Sequence, residues 1–310
     1  MKKKSFSAAA ACFLTCSIII VLSVRGLFGL PPQKTIRSEV SIVNINFNAL
    51  DKDGVPVNGL RAEDFLVFEN GEPQEIEFFS ATAKSEEVIL TIALLIDTSG
   101  SVKDKLHDEI ATAAEFLKEI LRPQKDLALI IQFDSEVNLV QDFTQNQNDL
   151  VNALNSLRAG GDTSLYDAVY LAAEEKLRYE AGRKVMVVIS DGEDTASLVS
   201  KEEAIEAAQK SDALIYGIGV RGRRSQGGFG DLKKFTEQTG GAFFSPRAEF
   251  KDIQETFRKI GIDIRGQYSL AYTPTDKRKD GKFRKIEIRC KQRTVQIRAR
   301  RGYYAPEGNR

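Results

Sequence analysis

The chain has no tryptophan, a single histidine, three cysteines and no excess of either charge. Each shortage excludes something. Lys+Arg and Asp+Glu both total 44, so no overall field draws the protein to nucleic acid or to an anionic surface. With aromatics at 8% and no tryptophan, base stacking has little to work with, and no nucleic-acid partner is expected. A Ser-His-Asp hydrolase would have to be built on His107, and no Gly-x-Ser-x-Gly elbow accompanies it. A Gly-x-x-x-x-Gly-Lys-Ser/Thr loop is missing as well, and no Gly-x-Gly-x-x-Gly opens the first helix. Cys12 and Cys16 fall in an N-terminal leader, which leaves Cys290 alone and predicts no internal disulfide. Within IEIRC, Cys290 alternates in phase with Ile286 and Ile288, so it is expected as a small buried hydrophobe.

Residues 1–30 do not read as part of the fold. Lys2, Lys3 and Lys4 precede an uncharged apolar stretch over residues 5–24, the pattern of a secretory signal peptide or of a retained signal anchor. FLTC at 13–16 is a loose version of a lipoprotein processing box. The chain is therefore expected to be exported, as a periplasmic, membrane-anchored or secreted protein.

What is present divides into three textures. Residues 31–86 alternate with period two around turns at DKDG and Asn70-Gly71, which predicts short antiparallel strands with Leu60 and Phe65 in their core. Residues 87–264 interleave the apolar runs VILTIALLID, LALIIQF, VMVVIS and ALIYGIGV with helical patterns over 102–122, 165–180, 202–211, 229–239 and 249–264. That alternation predicts an α/β domain with a mainly parallel, doubly wound sheet. Residues 265–310 return to period two, with 13 basic against 4 acidic residues from Gln267 onward. Lys and Arg on the outer face of such strands are read as protection against edge pairing. Each β segment is too short to close a sandwich alone, so the two are expected to pair into one small β-sandwich around the inserted domain. Two separate β lobes is the alternative. RGRRSQGGFG at 221–230 reads as a surface loop.

The chemistry concentrates at strand ends. LLIDTSGS places Asp97 where an apolar strand stops, with Ser99 and Ser101 at alternate positions and Gly100 expected to let the backbone turn sharply. VVISDGED places Asp191 at a second strand end, and Thr163 in GGDTSLYDAV precedes another helix. In doubly wound sheets ligands collect at the carboxyl ends of the strands, at the switch point. Two carboxylates and three hydroxyls, with no histidine or cysteine, suit a hard cation, Mg²⁺ before Mn²⁺ or Ca²⁺. Taken alone, DTSGS reads equally as a helix cap. Glu193 is read as a solvated loop charge, and so is Asp194 unless it supports the site from behind; Asp162 and Asp167 are read as cap and helix-surface residues, and His107 as a surface or boundary residue.

This arrangement resembles the von Willebrand factor A domain and its metal-ion-dependent adhesion site, Asp-x-Ser-x-Ser followed by a Thr and an Asp. The resemblance spans roughly residues 88–262 and implies metal coordination, direct or through water, by Asp97, Ser99, Ser101, Thr163 and Asp191. The flanks GLRAEDFLVFENGEPQEIEFF, YSLAYTP, DGKFRKIEI and RARRGYYAP resemble an exported bacterial family of A-domain proteins known mainly from acidobacteria. The flank match bears on architecture; the A-domain resemblance implies a protein-binding module, not an enzyme, whose metal receives an Asp or Glu of a partner, with membrane anchorage left to the N-terminal segment. A structural module of an envelope or secretion assembly with a non-essential metal site is the second reading. A Mg²⁺-dependent hydrolase is the third.

Overall fold

The computed structural model describes residues 42–81, 88–220, 228–247 and 249–308. The leader and most of the 221–230 loop lie outside them.

Six strands form the central sheet: β5 (Leu90–Asp97), β6 (Leu127–Phe133), β7 (Val137–Thr144), β8 (Arg183–Ser190), β9 (Leu214–Gly219) and β10 (Phe243–Phe244). Their order is β10-β9-β8-β5-β6-β7. All neighbours are parallel except β6 and β7. The four long parallel strands match the four apolar runs. Every residue of β5 is buried, as expected for a strand covered on both faces. Antiparallel β7 was not anticipated. As a half-exposed edge strand, VNLVQDFT carries neither a continuous apolar run nor a clean alternation.

Helices cover both faces. On one side α1 (Leu106–Ile120), α2 (Gln147–Ser156) and α6 (Phe250–Arg265) bury Leu117, Leu150, Phe257 and Ile260 against the sheet. On the other, α3 (Leu165–Tyr170), α4 (Lys201–Ser211) and α5 (Gly230–Thr239) bury Val169, Ala204 and Phe235. The helix expected over 165–180 passes into a π-helical stretch, Leu171–Leu177.

The flanking segments form two antiparallel four-stranded sheets. One has the order β13-β1-β11-β4, from Gln296–Ala299, Val43–Leu50, Tyr268–Tyr272 and Phe78–Ser80. The other is β14-β12-β2-β3, from Gly302–Tyr304, Phe283–Cys290, Phe65–Glu69 and Glu72–Gln74. N- and C-terminal strands pair directly, Val43 with Tyr272 and Val67 with Ile288. The inner faces share one core holding Ile45, Phe47, Leu60, Phe65, Tyr268 and Ile286. The β2–β3 hairpin turns at Asn70 and Gly71, both at positive φ as a two-residue primed turn requires.

Two expectations for the basic strands need correction. Arg284 shares the buried face with Ile286 and Ile288, and Asp280 and Asp276 pair it. Arg298 and Arg300 are likewise paired, with Asp263 and Asp212. These cations are internal ties as well as edge guards. Cys290 is a free thiol and only half-buried, because it closes its strand beside the rim of the sandwich core.

Candidate metal centre

Order reverses between β5 and β8, and three loops meet where those strands end. Asp97 closes β5 and is fully buried. Its Oδ1 accepts from the Ser99 amide at 2.9 Å, and its Oδ2 accepts from the Ser190 hydroxyl at 2.7 Å. Ser190 closes the neighbouring β8 and also accepts from the Gly192 amide at 2.9 Å. The sequence pattern did not single out Ser190; its place as the last residue of VVIS, before Asp191, was the available signal.

The Ser99 and Ser101 hydroxyls lie 3.0 Å apart. They do not cap α1. That helix begins at Leu106, its N-terminal flanking residue is Lys105, and no side chain caps it. The capping alternative for DTSGS is therefore overturned by position. Nor is Gly100 at positive φ: its amide reaches the Gly161 carbonyl at 3.0 Å, and an added Cβ would stay 3.5 Å from that oxygen. The left-handed glycine is Gly161, at φ +79°, where a Cβ would stand 2.7 Å from the Ser135 hydroxyl.

The Thr163 loop is fastened on both sides. The Gly160 amide donates to the Thr98 carbonyl at 2.7 Å, joining it to the DTSGS turn. The Thr163 carbonyl accepts from the Thr195 and Ala196 amides, and its own amide donates to the Thr195 hydroxyl. Thr163 is buried, so the three loops behave as one laced edge. Asp194 supports it from behind, accepting from the Tyr166 amide and the Ser197 hydroxyl. Asp167 corrects its reading as a plain helix-surface residue, because it accepts from the Leu198 and Val199 amides. His107 is exposed.

The electrostatics are those of charge without a counter-charge. Burial pushes the Asp97 carboxyl up to about 6, against the bonds from Ser190 and Ser99, and Asp191 adds to the rise. Asp191 follows β8, is fully buried, and leaves its Oδ2 with no hydrogen-bond partner. Buried carboxylate oxygens without donors are costly, and a cation is one way to satisfy them. Among the described residues no cluster of three or more His, Cys, Asp or Glu could alone hold a metal, so hydroxyls would have to contribute. The oxygen-only donor set here fits a hard cation.

A doubly wound sheet whose switch point carries an Asp-x-Ser-x-Ser turn, a threonine loop and an aspartate strand end defines an A-type α/β domain. The von Willebrand factor type A domain model matches residues 91–259, more than half of the chain, and the chain belongs to that family. No curated protein matches it. Among solved structures, proximal thread matrix protein 1 from the mussel byssus aligns with a TM-score of 0.52 at 14% identity, over 64% of this chain and 51% of that one. BatB from Bacteroides thetaiotaomicron aligns with a TM-score of 0.46 at 16% identity, over 55% and 97%. The vWF domain of the pilus-tip protein Mfa5 from Porphyromonas gingivalis gives 0.46 at 14%, over 57% and 96%. At these identities the likeness concerns the fold. Among the described residues no helix is long and apolar enough to cross a membrane.

Proposed function

We propose that the protein is an exported, cation-dependent protein-binding module. Asp97, Ser99, Ser101, Thr163 and Asp191 would hold a divalent cation, Mg²⁺ by preference, with Mn²⁺ and Ca²⁺ as substitutes. The cation would supply an electrophilic position open to a carboxylate, so the partner is a protein presenting Asp or Glu. The observation that carries this reading is the unpartnered, buried Asp191 Oδ2 beside Asp97 at the sheet's switch point. The chain's own residues do the rest: Ser190 and the Ser99 amide orient the Asp97 carboxylate, while the Gly160 and Thr195 bonds tie the Thr163 loop to the DTSGS turn and to the loop after β8. Export rests on the leader, and membrane anchorage remains its task if the leader is retained.

The test is thermal unfolding of the full chain, freed of metal with EDTA and then titrated with Mg²⁺, Mn²⁺ or Ca²⁺, beside Asp97→Ala. A cation at 100 times its dissociation constant should stabilise the parent by about 2.7 kcal/mol and the variant not at all. A peptide-display library, panned on the parent, should then yield Asp- or Glu-bearing sequences in Mg²⁺ and lose them in EDTA. No cation response in the parent removes the reading. Capture unaffected by EDTA would point to the β-sandwich as the binding element, and Asp97-dependent turnover of a phosphate or ester panel to a hydrolase.

A further inference from the structure

The loop that follows β8 shows water a side chain with no part in the five-residue pattern. Leu198 is 96% exposed, more than any other large hydrophobic among the described residues. Its neighbour Val199 behaves as a loop apolar residue ordinarily does, packing half-buried against the core beneath α3, α4 and α5. The other exposed large hydrophobics lie on the outer antiparallel sheets and their loops, at the amino edge of the central sheet, on α6 or on the edge strand β7. Among the described residues only Leu198 belongs to a loop leaving the carboxyl end of a parallel strand, where the proposed cation centre is.

The backbone behind this leucine is tightly held. The Leu198 amide donates to the Asp167 carboxylate at 3.0 Å, and the Val199 amide does so at 2.8 Å. The Ser197 hydroxyl donates to Asp194 Oδ1 at 2.6 Å and accepts from the Tyr166 and Asp167 amides. The Thr195 and Ala196 amides close on the Thr163 carbonyl at 2.8 and 3.0 Å. Each residue from Thr195 to Val199 is thus bonded to the Thr163–Asp167 segment, which carries the proposed threonine ligand. Two residues of chain span at most about 7 Å, so Leu198 stands within that reach of Ala196 and beside the Thr163 loop. A lone surface leucine needs no explanation in general. This one adjoins the site on a loop already fixed by bonds, so a partner covering it gains apolar burial without having to order the loop.

We propose that Leu198 is the apolar contact point of the partner-binding face, and that the partner is a protein segment pairing its Asp or Glu with an apolar side chain. The proposal rests on the cation reading above. A cation alone does not tell one acidic protein from another, because any accessible Asp or Glu can complete its coordination. A second contact of a different kind, at a fixed distance from the first, supplies the selection. In an extended segment the apolar side chain would lie within about four residues of the acid. Covering Leu198 with it strengthens binding about tenfold or more, and a charged side chain at that place forfeits the gain.

A phage-displayed library of random linear peptides is the probe. It would be panned on the full-length parent and on Leu198→Ser, each in Mg²⁺ and in EDTA, and the recovered sequences aligned on their acidic residue. The parent should enrich Asp or Glu with an apolar residue at one preferred spacing. Leu198→Ser should still enrich the acid in Mg²⁺ but lose the apolar preference. A synthetic peptide of the parent's consensus should bind Leu198→Ser on the order of tenfold more weakly, and Leu198→Ile nearly as well as the parent. Because the side chain stands in water, the unfolding midpoint and its rise in Mg²⁺ should be alike in all three proteins. Acidic sequences without an apolar preference, or a preference that Leu198→Ser keeps, overturn the proposal and leave the cation reading standing. A Mg²⁺ response lost in Leu198→Ser makes the residue structural and overturns it as well. If Mg²⁺ enriches nothing over EDTA, the acidic-partner reading falls and this one with it.

Discussion

The two ends of the central sheet treat buried carboxylates in opposite ways. At the amino end Asp126, just before β6, is almost fully buried, yet it accepts from the Leu90 amide and from the amide and guanidinium of Arg122. Asp263, near the end of α6, pairs with Arg298 and accepts from Asn48, while Arg183 donates to the Ile264 carbonyl. At the carboxyl end Asp97 and Asp191 are equally buried, and they meet only hydroxyls and amides: the Ser99 amide and Ser190 hydroxyl for Asp97, the Glu193 amide for Asp191. Burial pushes Asp126 up as well, but the bonds from Arg122 and Leu90 outweigh it and hold that carboxyl below its ordinary range, whereas Asp97 stands at about 6. The same residue type, equally hidden, is a structural tie at one end and an uncompensated charge at the other. Perturbed groups of the second kind mark functional edges.

The largest effect that separates the ends is expected at the tied one. Asp126→Ala removes the acceptor of the Leu90 amide and takes the carboxylate from the Arg122 guanidinium, which still donates to the Val88 carbonyl, and breaking a buried pair from one side costs about 3–5 kcal/mol. Chemical denaturation of the full chain should show that loss equally with and without Mg²⁺. If the cation were to restore it, the division between the two ends would be wrong.

The next effect is the pH response, where Asp126 and Asp97 should move oppositely, while Asp263 moves with Asp97 because burial raises its carboxyl despite Arg298. In metal-free protein the Asp97 carboxyl goes from an ordinary 3.8 to about 6 on folding. Its cost is absent below pH 3.8 and complete above about 6, where it amounts to about 3 kcal/mol. Asp97→Asn should therefore gain on the parent as pH rises from 4 to 7 in EDTA. Asp126 works the other way: its contribution is present above its ordinary 3.8 and is lost as pH falls through its lower folded value. Unfolding curves of parent, Asp97→Asn and Asp126→Asn across pH 3–7 decide it. Parallel curves for the two variants would sink the contrast.

Most of what positions the site could be read before any coordinates. Of the proposed ligands, Asp97 and Asp191 are legible because each sits where a hydrophobic run stops, and the ends of parallel strands must gather at one edge; Ser99 and Ser101 stand out by their alternate spacing after Asp97, and Thr163 by its place just before a helix. The pairing of the outer strands was legible from alternation and from the Asn70-Gly71 turn. Three features were not. β7 escaped because an exposed antiparallel edge strand has no strong pattern, and Ser190 because a serine closing an apolar run looks like any strand end. The burial of Glu109 in α1 escaped because an acid in the first turn of a helix is usually there for the dipole. Its spacing was nonetheless a signal, three residues after Leu106 and four before Ala113, on the inward face. The outer-face reading of the basic strands fails at Arg284, which is in phase with the inward Ile286 and Ile288 and can be buried because Asp276 and Asp280 pair it.

The smallest effect distinguishes two kinds of serine. Ser200 caps α4 in full: its hydroxyl accepts from the Glu203 amide, and the Glu203 carboxylate accepts from the Ser200 amide. Ser200→Ala should cost about 1 kcal/mol, the usual loss for a capping hydroxyl. Ser99 caps nothing, and its hydroxyl is engaged with Ser101. Losing that bond should also cost about 1 kcal/mol in EDTA, so metal-free unfolding cannot tell the two variants apart. Adding Mg²⁺ should. Ser200→Ala keeps the parent's full cation-induced rise in unfolding midpoint, while Ser99→Ala loses part of it because one donor to the ion is gone. An undiminished rise in Ser99→Ala would remove that hydroxyl from the centre and leave the cation to the carboxylates and Thr163.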